Sequence, residues 1–290
     1  MRKEQEMYQL ILQVAKEDDR ILAVYMNGSR TNDNAPRDIF QDYDMVYVVN
    51  TTQPFIEDKL WIDQFGARLF MQYPDESPYY PSDKENMYGW LMQFADGNRL
   101  DLTVETLSHA REHIADDRLC KVLLDKEHYL PIVAMSTDAD HWVKRPSLEQ
   151  YLCTCNEFWW CLNNVAKGLW RQEVPYVQNM LSFPIRKQLE RMLSWKIGVD
   201  TNFSVSVGKS GKYMYKWLTA QEWKTYLETY ASGDVEAIWT AVEKMCQLFT
   251  DTAVWVGKEL GFPYNHEEGN NCQAFLQHVK RLPKDAEDIY

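Results

Sequence analysis

The chain has 290 residues, room for one large domain or two ordinary ones, and its 45% hydrophobic and 13% aromatic content excludes a disordered chain. With 31 basic against 43 acidic residues the net charge is −12, a balance that disfavours nucleic acid or anionic membrane as partners and suits cations. A solvated acidic surface gives the same sign, so charge selects no function by itself.

In chain order, Met1 to Glu6 runs into an amphipathic pattern with acids and bases mixed. No apolar signal core follows its basic residues, and no stretch approaches the roughly 20 apolar residues of a membrane span, so the expected location is cytoplasmic. Ile21 to Asn27 is a short apolar run ending at Gly28-Ser29, which reads as a strand and a turn. Tyr43 to Val49, rich in β-formers, predicts a second strand, and Glu57 to Phe65 a short helix. Tyr88 to Phe94 and Leu100 to Glu105 flank an Asp96-Gly97 turn and predict a hairpin. Thr106 to Asp116 returns to a helical pattern.

After Pro146 strand signals nearly vanish. Ser147-Leu148-Glu149-Gln150 is a capping-box start for a long helix through Leu162. A helix is expected after Pro184, another is capped by Thr219-Ala220-Gln221-Glu222, and Val235 to Leu260 predicts a long one. The fold class is therefore α+β: a mixed-sheet domain flanked by helices over 1–145, then an all-helical domain over 146–290. The six cysteines are scattered, and Cys153 and Cys155 point to opposite sides of a helix, which fits free thiols better than a metal cluster.

Chemistry concentrates in the first half. Side chains alternate along a strand, so Asp42 and Asp44 share a face at the mouth of the second strand. Asp101, in the hairpin, completes a set of three carboxylates if its strand lies beside theirs. Such a set repels itself unless a cation sits within it, and hard oxygen ligands beside phosphate suit Mg²⁺. Two ions about 3.5–4 Å apart can hold both oxygens of an in-line displacement. Gly28-Ser29 complements this, because glycine admits a phosphate close to backbone and the following N–H groups and hydroxyl can hold it. A bare turn at Gly28 and a solvated edge at Asp42 and Asp44 are the plain alternatives. Lys212 and Lys216 share a face if a helix runs there and could neutralise a triphosphate, with Arg30 a further candidate. Gly208-Lys209-Ser210 is not a P-loop, since the required earlier glycine is Phe203. His109 and His113 lack the glutamate of a zinc-protease helix and read as solvated helix residues.

The order Gly28-Ser29, Asp42-Tyr43-Asp44, Asp101 resembles the nucleotidyltransferase superfamily. Tyr25 to Asn32, Asp38 to Asp44 and Gly211 to Leu218 are similar to the aminoglycoside 6-adenylyltransferases, which modify streptomycin. The resemblance spans almost the whole chain. It implies an antibiotic-resistance transferase that moves AMP from ATP to a drug hydroxyl, releasing pyrophosphate, with Mg²⁺ (two ions) as cofactor. Asp42 and Asp44 would hold the metals, Ser29 the terminal phosphates, and Asp101 would be a metal ligand or the general base. A small cationic aminoglycoside is then the partner, with no nucleic acid and no membrane, and the helical half binds substrate. An enzyme of this fold modifying a protein, or a non-catalytic antitoxin-like nucleotide-binding module, are the alternatives.

Overall fold

Strand β1 (Ile21–Asn27) is buried along nearly its whole length, which is why it reads as an unbroken apolar run rather than an alternating one. In this computed structural model, which describes residues 1–290, the chain divides into two compact units, Met1–Asp140 and His141–Tyr290.

The first unit is built on a six-stranded mixed sheet. Besides β1 it contains β2 (Tyr43–Val49), β3 (Arg68–Gln72), β4 (Met87–Phe94), β5 (Arg99–Thr106) and β6 (Cys120–Asp125), in the order β3-β4-β5-β2-β1-β6. All neighbours run antiparallel except β2 and β5, which are parallel with Asp44 opposite Asp101. The expected β4–β5 hairpin is present, closed over Ala95 to Asn98.

Period-2 alternation gives the sheet two different faces. Tyr43, Met45, Tyr47 and Val49 of β2 point with Leu100, Leu102 and Val104 of β5 into the main core. Helix α1 (Glu4–Glu17) covers that core with Met7, Ile11, Val14 and Ala15, one face of a 3.6-residue repeat. Val46 and Val48 face the other way, onto Ala110 and Ile114 beside helix α3 (Leu107–His113). That second face is apolar only at the α3 end. At the other end it carries Asp44 and Asp101.

Two local expectations are corrected, and two edge strands are found where none was expected. Glu57 to Phe65 is not one helix but α2 (Gln53–Glu57) followed by a 3-10 turn over Trp61–Phe65. The carboxylate of Asp58 accepts from the N–H groups of Leu60 and Trp61, each at 3.2 Å, and this local bonding replaces the helical ladder. Strands β3 and β6 carry no alternation that marks them, and both are sheet edges. Lys212 and Lys216 do not lie on an α-helix. They belong to a segment of two 3-10 turns, Lys209–Gly211 and Met214–Lys216, interrupted by Ser210 in the left-handed region at φ 55°.

The second unit is helical: α4 (Leu148–Trp170), α5 (Val174–Met180), α6 (Arg186–Asp200), α7 (Ala220–Leu227), α8 (Val235–Leu260) and α9 (His266–Arg281). Ser147 caps α4 reciprocally with Gln150, at 2.9 and 3.2 Å, and Thr219 caps α7 with Glu222. Phe158 and Phe249, both fully buried, stack at 3.7 Å between centroids where α4 meets α8. Burying each contributes about 1.5–3 kcal/mol. Of the tryptophans, Trp159, Trp195 and Trp239 are core, whereas Trp160 and Trp217 are exposed. All six cysteines are free thiols, and no helix is long and apolar enough to cross a membrane.

Candidate active site

The β2–β5 register assembles the site. Asp44 pairs with Asp101 across the parallel strands, and one step earlier Tyr43 pairs with Leu100. Asp42 and Arg99, the residues just before, thus come alongside each other. Asp42, Asp44 and Asp101 bring carboxylate oxygens within 4.8 Å of one another, all partly accessible. The three residues expected to act together are therefore brought together, by strand pairing alone.

Gly28 closes the third side. It ends β1 at φ +75°, and a Cβ there would stand 2.2 Å from Oδ2 of Asp44. Only glycine lets the turn and this carboxylate share the space. The Gly28 N–H is committed to the Leu119 carbonyl at 3.1 Å, so donors for a phosphate must come from the residues after it. Ser29 lies in the 3-10 turn that follows, Gly28–Thr31, pinned by Thr31 Oγ1 donating to the Gly28 carbonyl at 2.8 Å.

Burial, then the charges of Asp42 and Asp101, push the Asp44 carboxyl up to about 7. A proton or a cation relieves this repulsion. The acidic cluster fits a hard divalent ion by donor chemistry, since three carboxylates converge and burial with their mutual repulsion disfavours the charge on Asp44.

Two arginines frame the cluster. Arg30 donates from Nε to the Asp42 carbonyl and from Nη2 to the Gln41 carbonyl, both at 2.7 Å, and its Nη1 lies 3.3 Å from Glu4. Its guanidinium carbon also stands 3.6 Å from the Tyr43 ring centroid. As placed, Arg30 holds the entry to β2, and a direct phosphate contact would require Glu4 to release Nη1. Arg30→Ala should therefore lower stability by about 1–3 kcal/mol and loosen Asp42, with Arg30→Lys failing to restore either. Thermal melting beside a Mn²⁺ titration checks this.

Arg99 was not singled out by the sequence. Its Nε and Nη2 grip the two oxygens of Asp101 at 2.8 and 2.6 Å, and Nε lies 3.8 Å from Asp42. The signal was available in Arg99-Leu100-Asp101, because residues two apart on a strand share a face. Farther along the same face, buried Glu105 accepts from the Tyr25 hydroxyl and contacts Nδ1 of His109 at 2.5 Å. Burial and the Glu105 charge raise the Tyr25 hydroxyl. His109 thus ties α3 to the sheet rather than standing free in solvent.

Lys212 and Lys216 lie on the helical unit, with ammonium groups 5.1 and 4.6 Å from the Tyr213 ring centroid. Both thus lie near one ring, although no α-helix joins them. Asp96, in the β4–β5 turn, is bound by Arg2, which donates to it from backbone and side chain at 2.9 and 2.7 Å. Burial raises its carboxyl, but these hydrogen bonds prevail and hold it well below the usual range.

Comparison with known proteins identifies the family. The sequence model of the streptomycin adenylyltransferase family matches residues 1–279. The chain is similar to the aminoglycoside 6-adenylyltransferase of Bacillus subtilis (strain 168), 36% identical over 93% of this chain and 95% of that one. It is 35% identical to that of Campylobacter jejuni over 91% of each chain. With that of Staphylococcus aureus it shares 32% identity over 86% of this chain and 89% of that one. The chain therefore belongs to the aminoglycoside 6-adenylyltransferase family and is a nucleotidyltransferase.

Proposed function

We propose that this protein transfers the adenylyl group of ATP to a hydroxyl of streptomycin in the cytoplasm and so confers resistance to the drug. The drug oxygen bonds to the α-phosphorus, the α–β anhydride bond breaks, pyrophosphate leaves, and the hydroxyl proton passes to a carboxylate of the site. The observation that carries this reading is the register that sets Asp42, Asp44 and Asp101 beside the Gly28-Ser29 turn.

Asp42, Asp44 and Asp101 would hold Mg²⁺, as two ions, which would neutralise charge developing on the transferred and leaving phosphates. Gly28 leaves room for the nucleotide phosphates, and Ser29 offers its hydroxyl to them. Arg30 serves the nucleotide by fixing Asp42, and Lys212 and Lys216 are further candidates for neutralising phosphate. Across the sheet, β5 lies one strand farther from the Gly28 turn than β2 does. Asp101 serves as the third metal ligand or as the general base that takes the hydroxyl proton, roles that compete because a nearby metal ion weakens a carboxylate as a base. A net charge of −12 favours a small cationic drug over nucleic acid as the acceptor.

The test is pyrophosphate release from MgATP with streptomycin beside a panel of other aminoglycosides. Release with streptomycin alone is expected. No release with any aminoglycoside, from folded protein that binds MgATP, overturns the drug assignment and points to a protein acceptor.

A further inference from the structure

The three carboxylates do not face one another alone. Asp42, Asp44, Arg99 and Asp101 occupy a two-by-two block on one sheet face, set by the pairing of β2 with β5. Arg99 uses a fork to hold both oxygens of Asp101 and reaches toward Asp42 with the same Nε. An ion entering among these carboxylates needs oxygens that the guanidinium already occupies. The Arg99 side chain is 46% exposed against 17% for Asp101, so the arginine is the member free to move.

We infer that Arg99 is a built-in counter-ion that competes with metal for Asp101, and that it makes metal loading depend on nucleotide. This rests on the proposed metal role of the carboxylates. Metal entering alone must strand the guanidinium beside a new positive charge. Metal entering with a nucleotide brings phosphate oxygens, which a planar guanidinium binds as readily as a carboxylate. Arg99 thereby holds the carboxylates in place before loading and penalises binding of bare metal. The coupling is reciprocal: whatever nucleotide does for metal affinity, metal does for nucleotide affinity.

The experiment is a Mn²⁺ titration of the full chain by electron paramagnetic resonance, with and without an ATP analogue bridged by methylene between the α- and β-phosphates. Wild type, Arg99→Gln, Arg99→Lys and Asp44→Asn are compared, with melting curves to verify folding. Arg99→Gln is expected to bind Mn²⁺ alone about fivefold more tightly, the scale of one half-exposed ion pair. In the same variant the factor by which analogue strengthens Mn²⁺ binding should shrink. Arg99→Lys keeps the charge without the fork and should fall between. A merely structural arginine would weaken both affinities or neither. Unchanged or weaker binding of Mn²⁺ alone in both Arg99 variants, with Asp44→Asn still abolishing it, overturns this inference and leaves the metal site standing. Mn²⁺ binding that ignores Asp44→Asn overturns both.

Discussion

Asp44→Asn is expected to abolish adenylyl transfer while making the metal-free protein more stable at pH 8. The loss of activity, by about a thousandfold or more, follows from removing a charged ligand where phosphate charge must be neutralised. The gain in stability follows from the site's electrostatics. Asp44 is pushed up to about 7 by burial and then by Asp42 and Asp101. A carboxyl raised in the folded state costs stability wherever it must stay ionised in the fold, so the penalty is full above about pH 7. It shrinks as pH falls and vanishes near the ordinary carboxylate value of about 4. Asparagine removes a charge that Arg99 and Arg30 offset only in part in the metal-free protein. Discounting for partial exposure, the gain should be about 1–3 kcal/mol at pH 8. Melting in chelator across pH 4–8, beside pyrophosphate release, reads both effects. A variant less stable than wild type at pH 8 would show that Asp44 is satisfied without metal. For the same reason, metal binding to wild type below pH 7 should displace a proton and weaken as pH falls.

Gly28→Ala is the second large effect. Two costs coincide at this position: a φ of +75°, and a Cβ that would meet Asp44 Oδ2 at 2.2 Å and its Cγ at 3.1 Å. The backbone term alone is about 1–2 kcal/mol. Relieving the contact requires Asp44 to swing out of the carboxylate set, and a displacement near 1 Å costs on the order of a hundredfold in rate. Gly97 supplies the control. It too has positive φ, at +90°, but a Cβ there meets nothing within 4 Å. Gly97→Ala should lose stability by a similar backbone amount and keep transfer activity within a few-fold. If both variants lose activity alike, the contact with Asp44 is not what makes Gly28 necessary.

Much of the site was legible because it depends on short-range rules. Strand alternation places Asp42 with Asp44, an apolar run before Gly28-Ser29 marks the turn, and the capping boxes at Ser147 and Thr219 announce their helices from four residues each. Long helices such as α8 were readable since their apolar period repeats many times over. What the sequence left undecided was pairing. That β5 lies parallel to β2 with Asp101 opposite Asp44 depends on a crossover through β3 and β4, and no local pattern encodes it. The edge strands β3 and β6 escaped for a related reason: an edge is defined by its one neighbour, not by its own residues.

Arg99, Arg30 and Glu105 show the same division at side-chain scale. Each is an ordinary charged residue in the chain, and each acquires its part only from what the fold sets against it: Asp101 and Asp42, the Gln41 and Asp42 carbonyls, Tyr25 and His109. The sequence by itself determined which residues carry charge and which local elements they sit on. Tertiary structure alone decided which charges meet, because Coulomb and hydrogen-bond energies depend on distances between strands far apart in the chain.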